Sequence, residues 1–319
     1  MKGSVSLPVR TPLRRFWVFS DLQQADPANA RLCMTTGVED FLSLGLGIDA
    51  AFYLGDSTEG SVEEHLAEMA DMQVEQLSKV DSPVWYALGN HEFDLHNAAW
   101  NGRVDASRLF RVVMRERVLR EPQWHVAPTL RDWLFVADFG DVAVALMSDH
   151  ADAGGKWWTT HGILHGLPEG APDPHGDEPL RVRDAIAALG KPAFTMSHYA
   201  FPGGNRPSAL MGGMLPLPEN VVAHLYGHCH IGDFRCGGDD CLRQIAGTDG
   251  SAVTQFDVAS LENRRGTAVR SAILEWYGGR DFAVFFRNHS AARWEKAFYA
   301  SPDPAKPWPF RAPGGHAPN

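Results

Sequence analysis

The sequence predicts an α/β domain of two stacked, mixed β-sheets with helices outside, a four-layer αββα sandwich. Three observations predict it. Short apolar runs alternate with helical patterns over residues 16–88 in the order β-α-β-α-β, which calls for parallel crossovers. Apolar runs joined by tight-turn sequences follow Cys241, the pattern of antiparallel strands. Of 319 residues, 44% are hydrophobic and 21% charged, an ordinary globular balance that excludes a mainly disordered chain.

Residues 1–15 read as a leader, 16–300 as one domain, and 301–319 as a tail too rich in proline and glycine to fold alone. Phe16–Ser20 (FWVFS) is the first expected strand, Thr36–Leu44 a helix, and Ala51–Leu54 (AFYL) a second strand. Ser61–Lys79 has the i, i+3/i+4 rhythm of a long amphipathic helix, with Ser61 and Glu64 as a capping box. Pro83–Leu88 (PVWYAL) is a third strand. Trp133–Ala137 and Val142–Ser148 flank Asp138-Phe-Gly-Asp141 and read as a hairpin. Residues 151–177 form a long loop rich in glycine and proline, a type that is often functional. Leu180–Leu189 is helical; Ala193–Ser197 and Val221–Tyr226 are strands. The later runs LRQIAG, SAILEWY and FAVFFR are expected to close the second sheet.

Several classes are excluded. Lys and Arg number 29 against 39 Asp and Glu, a net charge of −10, which argues against a large nucleic-acid surface. No apolar run of about 18 residues exists to span a membrane, and no apolar segment before Asp21 resembles a secretory signal. Four cysteines, Cys33, Cys229, Cys236 and Cys241, are too few for a disulfide scaffold and poorly spaced for a zinc knot. A cytoplasmic location is expected.

The chemistry follows the strands. FWVFS leads into Asp21-Leu22-Gln23, AFYL into Gly55-Asp56, and PVWYAL into Gly89-Asn90-His91-Glu92. AFTM leads into Ser197-His198, and VVAHLY into Gly227-His228-Cys229-His230. Ligands of α/β sheets bind beyond the carboxyl ends of strands, so these loops should converge. Two carboxylates, two carboxamides and three imidazoles make a hard-to-borderline donor set suited to Mn²⁺, Fe or Zn²⁺. That is too many donors for one tetrahedral ion. It suffices for two ions sharing a bridging carboxylate, the usual clamp for in-line displacement at phosphorus.

The order Asp21-x-Gln23, Gly55-Asp56, Gly89-Asn90-His91-Glu92, lone His198, Gly227-His228-Cys229-His230 resembles the D-x-H, GD, GNH-[DE], lone His, GHxH pattern of the calcineurin-like metallophosphoesterase superfamily, over Phe16 to about His230. The resemblance implies a dinuclear site in which Asp21 and His230 hold the first ion and Asp56 bridges. Asn90, His198 and His228 would hold the second ion. His91 would protonate the leaving group or stabilise its charge, and Glu92 would orient His91. A hydroxide bridging the ions would attack phosphorus with no covalent enzyme intermediate. Gln23 stands where the common pattern has histidine. Its oxygen suits Mn²⁺, and the run Asp21-Leu-Gln-Gln-Ala-Asp26 resembles the manganese-dependent ADP-ribose/CDP-alcohol diphosphatase branch. Glu59, at the spacing of the tyrosine ligand in purple acid phosphatases, is the alternative to Gln23.

Alone, any of these histidines reads as a structural core residue, and Asp21 or Asp56 as a helix N-cap; as an ordered set they read as ligands. Asp26 could touch the site or start the Asp26-Pro27 turn. Trp157, Trp158, His161 and His165 could stack on a substrate or pack their loop, and Arg103, Arg108 and Arg206 are candidate phosphate clamps. The expectation is a hydrolase of phosphodiester or pyrophosphate bonds in a small nucleotide-type substrate, with two divalent cations, Mn²⁺ first and Fe or Zn²⁺ next. Its rivals are a phosphomonoesterase and a degenerate scaffold for a protein partner.

Overall fold

Trp17 and Phe19 point to one side of the first strand and Phe16 and Val18 to the other, and all four are fully buried. A strand apolar on both faces must be sandwiched. The computed structural model describes residues 11–24, 26–58, 63–89, 91, 117–126, 134–148, 176–202, 209–230, 242–247, 252–264 and 267–300. Strand β1 (Arg14–Phe19) takes in Arg14 and Arg15, which the sequence assigns to the leader. It pairs in parallel with β2 (Ala50–Tyr53), which pairs with β3 (Val84–Tyr86), which pairs with β4 (Trp124–Val126).

The other side of β1 differs from expectation. Strands β11 (Arg270–Gly278), β12 (Asp281–Asn288) and β13 (Arg293–Ala300) extend this first sheet, in the order β13-β12-β11-β1-β2-β3-β4, rather than closing the second. β11 lies antiparallel to β1 with Phe16 opposite Leu274. Its own alternation fits that place: Ile273 turns to the helices, while Ala272, Leu274 and Trp276 turn to the facing sheet. The second sheet is built from β5 (Leu134–Asp138), β6 (Ala143–Met147), β7 (Ala193–Ser197), β8 (Val221–Tyr226), β9 (Leu242–Ala246) and β10 (Ala252–Asp257), in the order β5-β6-β7-β8-β10-β9. β5 and β6 form the expected hairpin, β6, β7, β8 and β10 run parallel, and β9 returns antiparallel.

Helices cover both outer faces. α1 (Pro27–Ser43) and α2 (Glu63–Leu77) pack Met34, Phe41, Met69 and Leu77 onto the first sheet. α3 (Glu178–Ala188) and α4 (Ala209–Gly213) pack Val182, Ile186 and Met211 onto the second. The result is two mixed sheets between helical layers. α1 begins nine residues before the expected Thr36, because Asp26 caps it: its Oδ1 accepts from the Ala28 N–H at 3.0 Å and Pro27 opens the first turn. Residues 151–175, Cys236 and Cys241 lie outside the described residues; Cys33 and Cys229 are free and buried. Among the described residues no helix is long and apolar enough to cross a membrane.

A buried polar chain locks α1 to the first sheet. Arg287 donates twice to Asp40, at 2.8 Å each, and His289 donates through Nδ1 to Asp40 Oδ2 at 2.8 Å. Ser271 Oγ donates to His289 Nε2 at 2.7 Å and accepts from Trp17 Nε1 at 2.8 Å. Trp17 also stacks on Phe41 of α1, centroids 4.2 Å apart. Burial keeps His289 below its ordinary pKa despite Asp40. Burial works against the Asp40 carboxylate, but Arg287 and His289 outweigh it and hold its pKa at about 2.

Asp40→Asn should lower the unfolding free energy at pH 7 by about 3 kcal/mol, because Arg287 is left buried without its counter-charge. The carboxyl titrates lower in the folded than in the unfolded chain, where its pKa is about 3.9. Its contribution is therefore complete above that value and lost as the pH falls toward 2. The gap between wild type and variant, read from urea midpoints, should narrow over that window; a gap independent of pH refutes the assignment.

Candidate metal centre

The parallel strands of both sheets end at the same edge of the sandwich, and the polar residues that follow them meet there. Asp21 and Gln23 follow β1, Asp56 follows β2, and His91 lies five residues beyond β3. From the other sheet, His198 follows β7, and His228 and His230 follow β8. All are buried except His91, whose side chain keeps 13% exposure. Asn90, Glu92 and the alternative ligand Glu59 lie outside the described residues, as do Arg103, Arg108, Trp157, Trp158, His161, His165 and Arg206.

The loops are stitched to one another by backbone hydrogen bonds. The Asp21 N–H donates to Gly55 O at 3.0 Å, and the Gln23 N–H to Asp56 O at 3.1 Å. Each carboxylate then gives one oxygen to a backbone donor and turns the other toward imidazole. Asp21 Oδ2 accepts from the His228 N–H at 2.9 Å, and Oδ1 faces His230 Nε2 at 3.0 Å. Asp56 Oδ1 accepts from the His91 N–H at 2.8 Å. Its Oδ2 faces His198 Nε2 at 3.1 Å and His91 Nε2 at 3.9 Å. His198 Nε2 lies 3.1 Å from His228 Nδ1, and its other nitrogen meets Leu54 O at 2.7 Å, which aims the ring.

This crowding dictates glycine at specific places. A Cβ on Gly89 would lie 2.3 Å from Asp56 Oδ1 and 2.9 Å from His198 Nδ1. One on Gly227 would lie 2.0 Å from Ser20 Oγ. The glycines of the GNH and GHxH motifs are therefore space for the polar cluster, while Gly55 of GD, at φ 86°, would press a Cβ onto the Gly89 backbone. The polar residues themselves adopt backbone conformations that L side chains avoid: φ is 55° at Asp21, 52° at Asp56, 69° at His228 and 51° at His230. Such residues persist where their surroundings over-determine them, and they concentrate at functional sites.

Electrostatics point the same way. Burial opposes ionisation of Asp56, yet His198, His91 and His228 outweigh it and hold the carboxyl far below the ordinary range. Burial disfavours charge on His230, yet Asp21 and Glu262 raise its pKa to about 10. Positive charge is thus favoured beside both carboxylates. One ligand atom each from Asp56, His198 and His228 lie within 4.8 Å of one another, close enough to surround one ion. Gln23 Oε1 is buried with no hydrogen-bond partner among the described residues. An orphaned amide oxygen costs about 1–3 kcal/mol, and a cation beside it would relieve that cost. Buried carboxylates, imidazoles and this oxygen fit divalent cations well.

Sequence reasoning missed two residues here. Glu262 Oε1 lies 2.5 Å from His230 Nδ1, on the ring edge opposite Asp21. It follows β10, a strand whose polar Thr254 and Gln255 hide its pattern. His224 sits inside β8. Its Nδ1 meets Thr195 Oγ1 at 3.0 Å and its Nε2 meets Tyr199 O at 3.1 Å, bracing the segment that carries His198. Burial drops its pKa to about 4, so it braces as a neutral ring. Asp26, by contrast, caps α1.

Compared with known families, residues 14–232 match calcineurin-like phosphoesterase. No curated protein matches the chain. Among solved structures the fold is similar to a dimetal phosphatase from Danio rerio, at 12% identity and a TM-score of 0.53, covering 87% of this chain and 96% of that one. Purple acid phosphatase PPD1 from yellow lupin (Lupinus luteus) seeds aligns at 11% identity and a TM-score of 0.48, over 90% of this chain and 53% of that one. A 5'-nucleotidase precursor from Thermus thermophilus aligns at 13% identity and a TM-score of 0.43, again over 90% and 53%. The chain spans about half the length of the latter two. The family match spans the loops from Asp21 to His230, and on it the chain belongs to the calcineurin-like phosphoesterases, a family of phosphoester hydrolases.

Proposed function

We propose that this protein is a dinuclear metal-dependent hydrolase of phosphodiester or pyrophosphate bonds in a small, nucleotide-type substrate. The observation that carries the reading is the pairing, across two sheets, of two buried carboxylates with imidazoles, beside a buried amide oxygen with no hydrogen-bond partner among the described residues. Asp21, Gln23 and His230 would hold one cation. Asn90, His198 and His228 would hold the other, with Asp56 shared. The hard amide oxygen of Gln23 favours Mn²⁺, ahead of Fe or Zn²⁺. The nucleotide-type substrate is supported by the run Asp21-Leu22-Gln23-Gln24-Ala25-Asp26.

When bound, the cations supply Lewis acidity toward the attacking water and the phosphoryl oxygens. The protein supplies position and a proton. Asp56 and Asp21, fixed by the His91 and His228 N–H groups, cannot swing away from the ion seats. His91 is the most exposed of the cluster's described members, with its Nε2 on the side of Asp56 Oδ2, so it is the one of them an arriving phosphate meets first. Water attacks phosphorus opposite the leaving oxygen and releases one proton to solvent as the new P–O bond forms; the P–O bond to the leaving oxygen breaks, and His91 gives that oxygen a proton. Glu92 would orient His91.

Two outcomes are expected. Chelator-treated protein should be inactive and should regain hydrolysis of bis-p-nitrophenyl phosphate on Mn²⁺ addition, with about two ions per chain by elemental analysis. Faster turnover of p-nitrophenyl phosphate would make it a monoesterase, and no turnover with any divalent metal would sink the enzyme reading. His91→Ala should keep both ions and lower kcat about 10²–10⁴-fold; ions lost together with activity would make His91 a ligand instead of the proton donor.

A further inference from the structure

We propose that Glu262 is a positioning residue for the first metal seat. It accepts a hydrogen bond from the Nδ1–H of His230, so that the Nε2 lone pair points at the ion beside Asp21. The inference rests on the metal reading above and adds a residue that none of its motifs contains.

His230 lies between two carboxylates, Asp21 Oδ1 at 3.0 Å from Nε2 and Glu262 Oε1 at 2.5 Å from Nδ1. A neutral imidazole carries one proton, and a ring that binds a cation through Nε2 must carry it on Nδ1. Glu262 accepts there, and a carboxylate acceptor raises the basicity of the nitrogen that faces the metal. Glu262 is itself held. It is fully buried, its Oε2 accepts from Arg264 Nε, and its carbonyl accepts from Thr267 Oγ1 at 3.1 Å. One residue earlier, the Leu261 N–H donates to Ser20 O at 2.9 Å, tying this loop to the segment that bears Asp21. Glu262 is no ligand of that ion, because His230 stands between it and Asp21.

The placement has a chemical logic. Each seat has one carboxamide, Gln23 here and Asn90 at the other, a weaker donor than imidazole, but this seat has a single histidine where the other has two. Backing the one histidine of that seat with an anion restores electron donation to the ion. His198, at the other seat, meets a backbone carbonyl, Leu54 O, at 2.7 Å.

Calorimetric titration of the chelator-treated full chain with Mn²⁺ tests this. Wild type should bind about two ions. Glu262→Ala should weaken one site about 10–100-fold and leave the other unchanged. Glu262→Gln, whose amide oxygen can still accept from Nδ1, should recover part of that loss. Arg264→Leu should weaken the same site by less than Glu262→Ala. If Glu262→Ala gives no cooperative melt, the Gln and Leu variants decide in its place. Variants that bind both ions as wild type does overturn the role of Glu262 and leave the metal reading standing. A wild-type chain that takes up no Mn²⁺ overturns both.

Discussion

Two carboxylates buried at the junction of two sheets govern the architecture of this protein. Asp21 and Asp56 are almost wholly removed from water, and a buried anion is tolerable only with partners on every side. The partners come from both sheets: backbone N–H groups fix one oxygen of each carboxylate, and imidazoles face the other. Much else follows from this demand. The strands must end at one edge, the loops must be short and cross-bonded, and glycine must stand wherever a Cβ would displace an oxygen.

Core and site divide the labour between the faces of the same strands. Phe16, Val18, Phe52 and Leu54 fill the space between the sheets, and Trp17, Phe19 and Tyr53 face the helices. The strand ends are thereby held rigidly, which matters because a ligand displaced by about 1 Å can cost 10²-fold in rate. The Asp40–Arg287–His289–Ser271 chain adds to this by pinning α1 to β1 and β11, the frame from which Asp21 projects.

Most of the site was legible because each ligand-type residue interrupts an apolar run at a strand end. Asp21, Asp56, His198, His228 and His230 are all of this kind. Gln23 was legible only by analogy with a histidine position, and its buried oxygen, without a hydrogen-bond partner among the described residues, is a fact of packing that no spacing encodes. Glu262 was not legible, because β10 buries Gln255, which bonds the Phe201 N–H at 3.0 Å, and so breaks the apolar pattern that marks a strand end. The sheet membership of β11 and β12 was misread for a different reason. Local alternation says that a segment is a strand but not which distant strand lies beside it, and Leu274 meets Phe16 across most of the chain. The start of α1 was hidden by its polar first turns, where capping by Asp26 decides rather than amphipathicity.

The left-handed backbone at Asp21, Asp56, His228 and His230 has an evolutionary consequence. At each of these positions glycine would relax the chain, so ordinary selection for a sturdier fold would push toward it, yet glycine carries no donor atom. A lineage that lost its substrate should therefore decay first at these four sites, with glycine replacing them while the apolar strands stay intact. Retention of all four side chains in a drifting descendant would mark a chain still under demand for its chemistry.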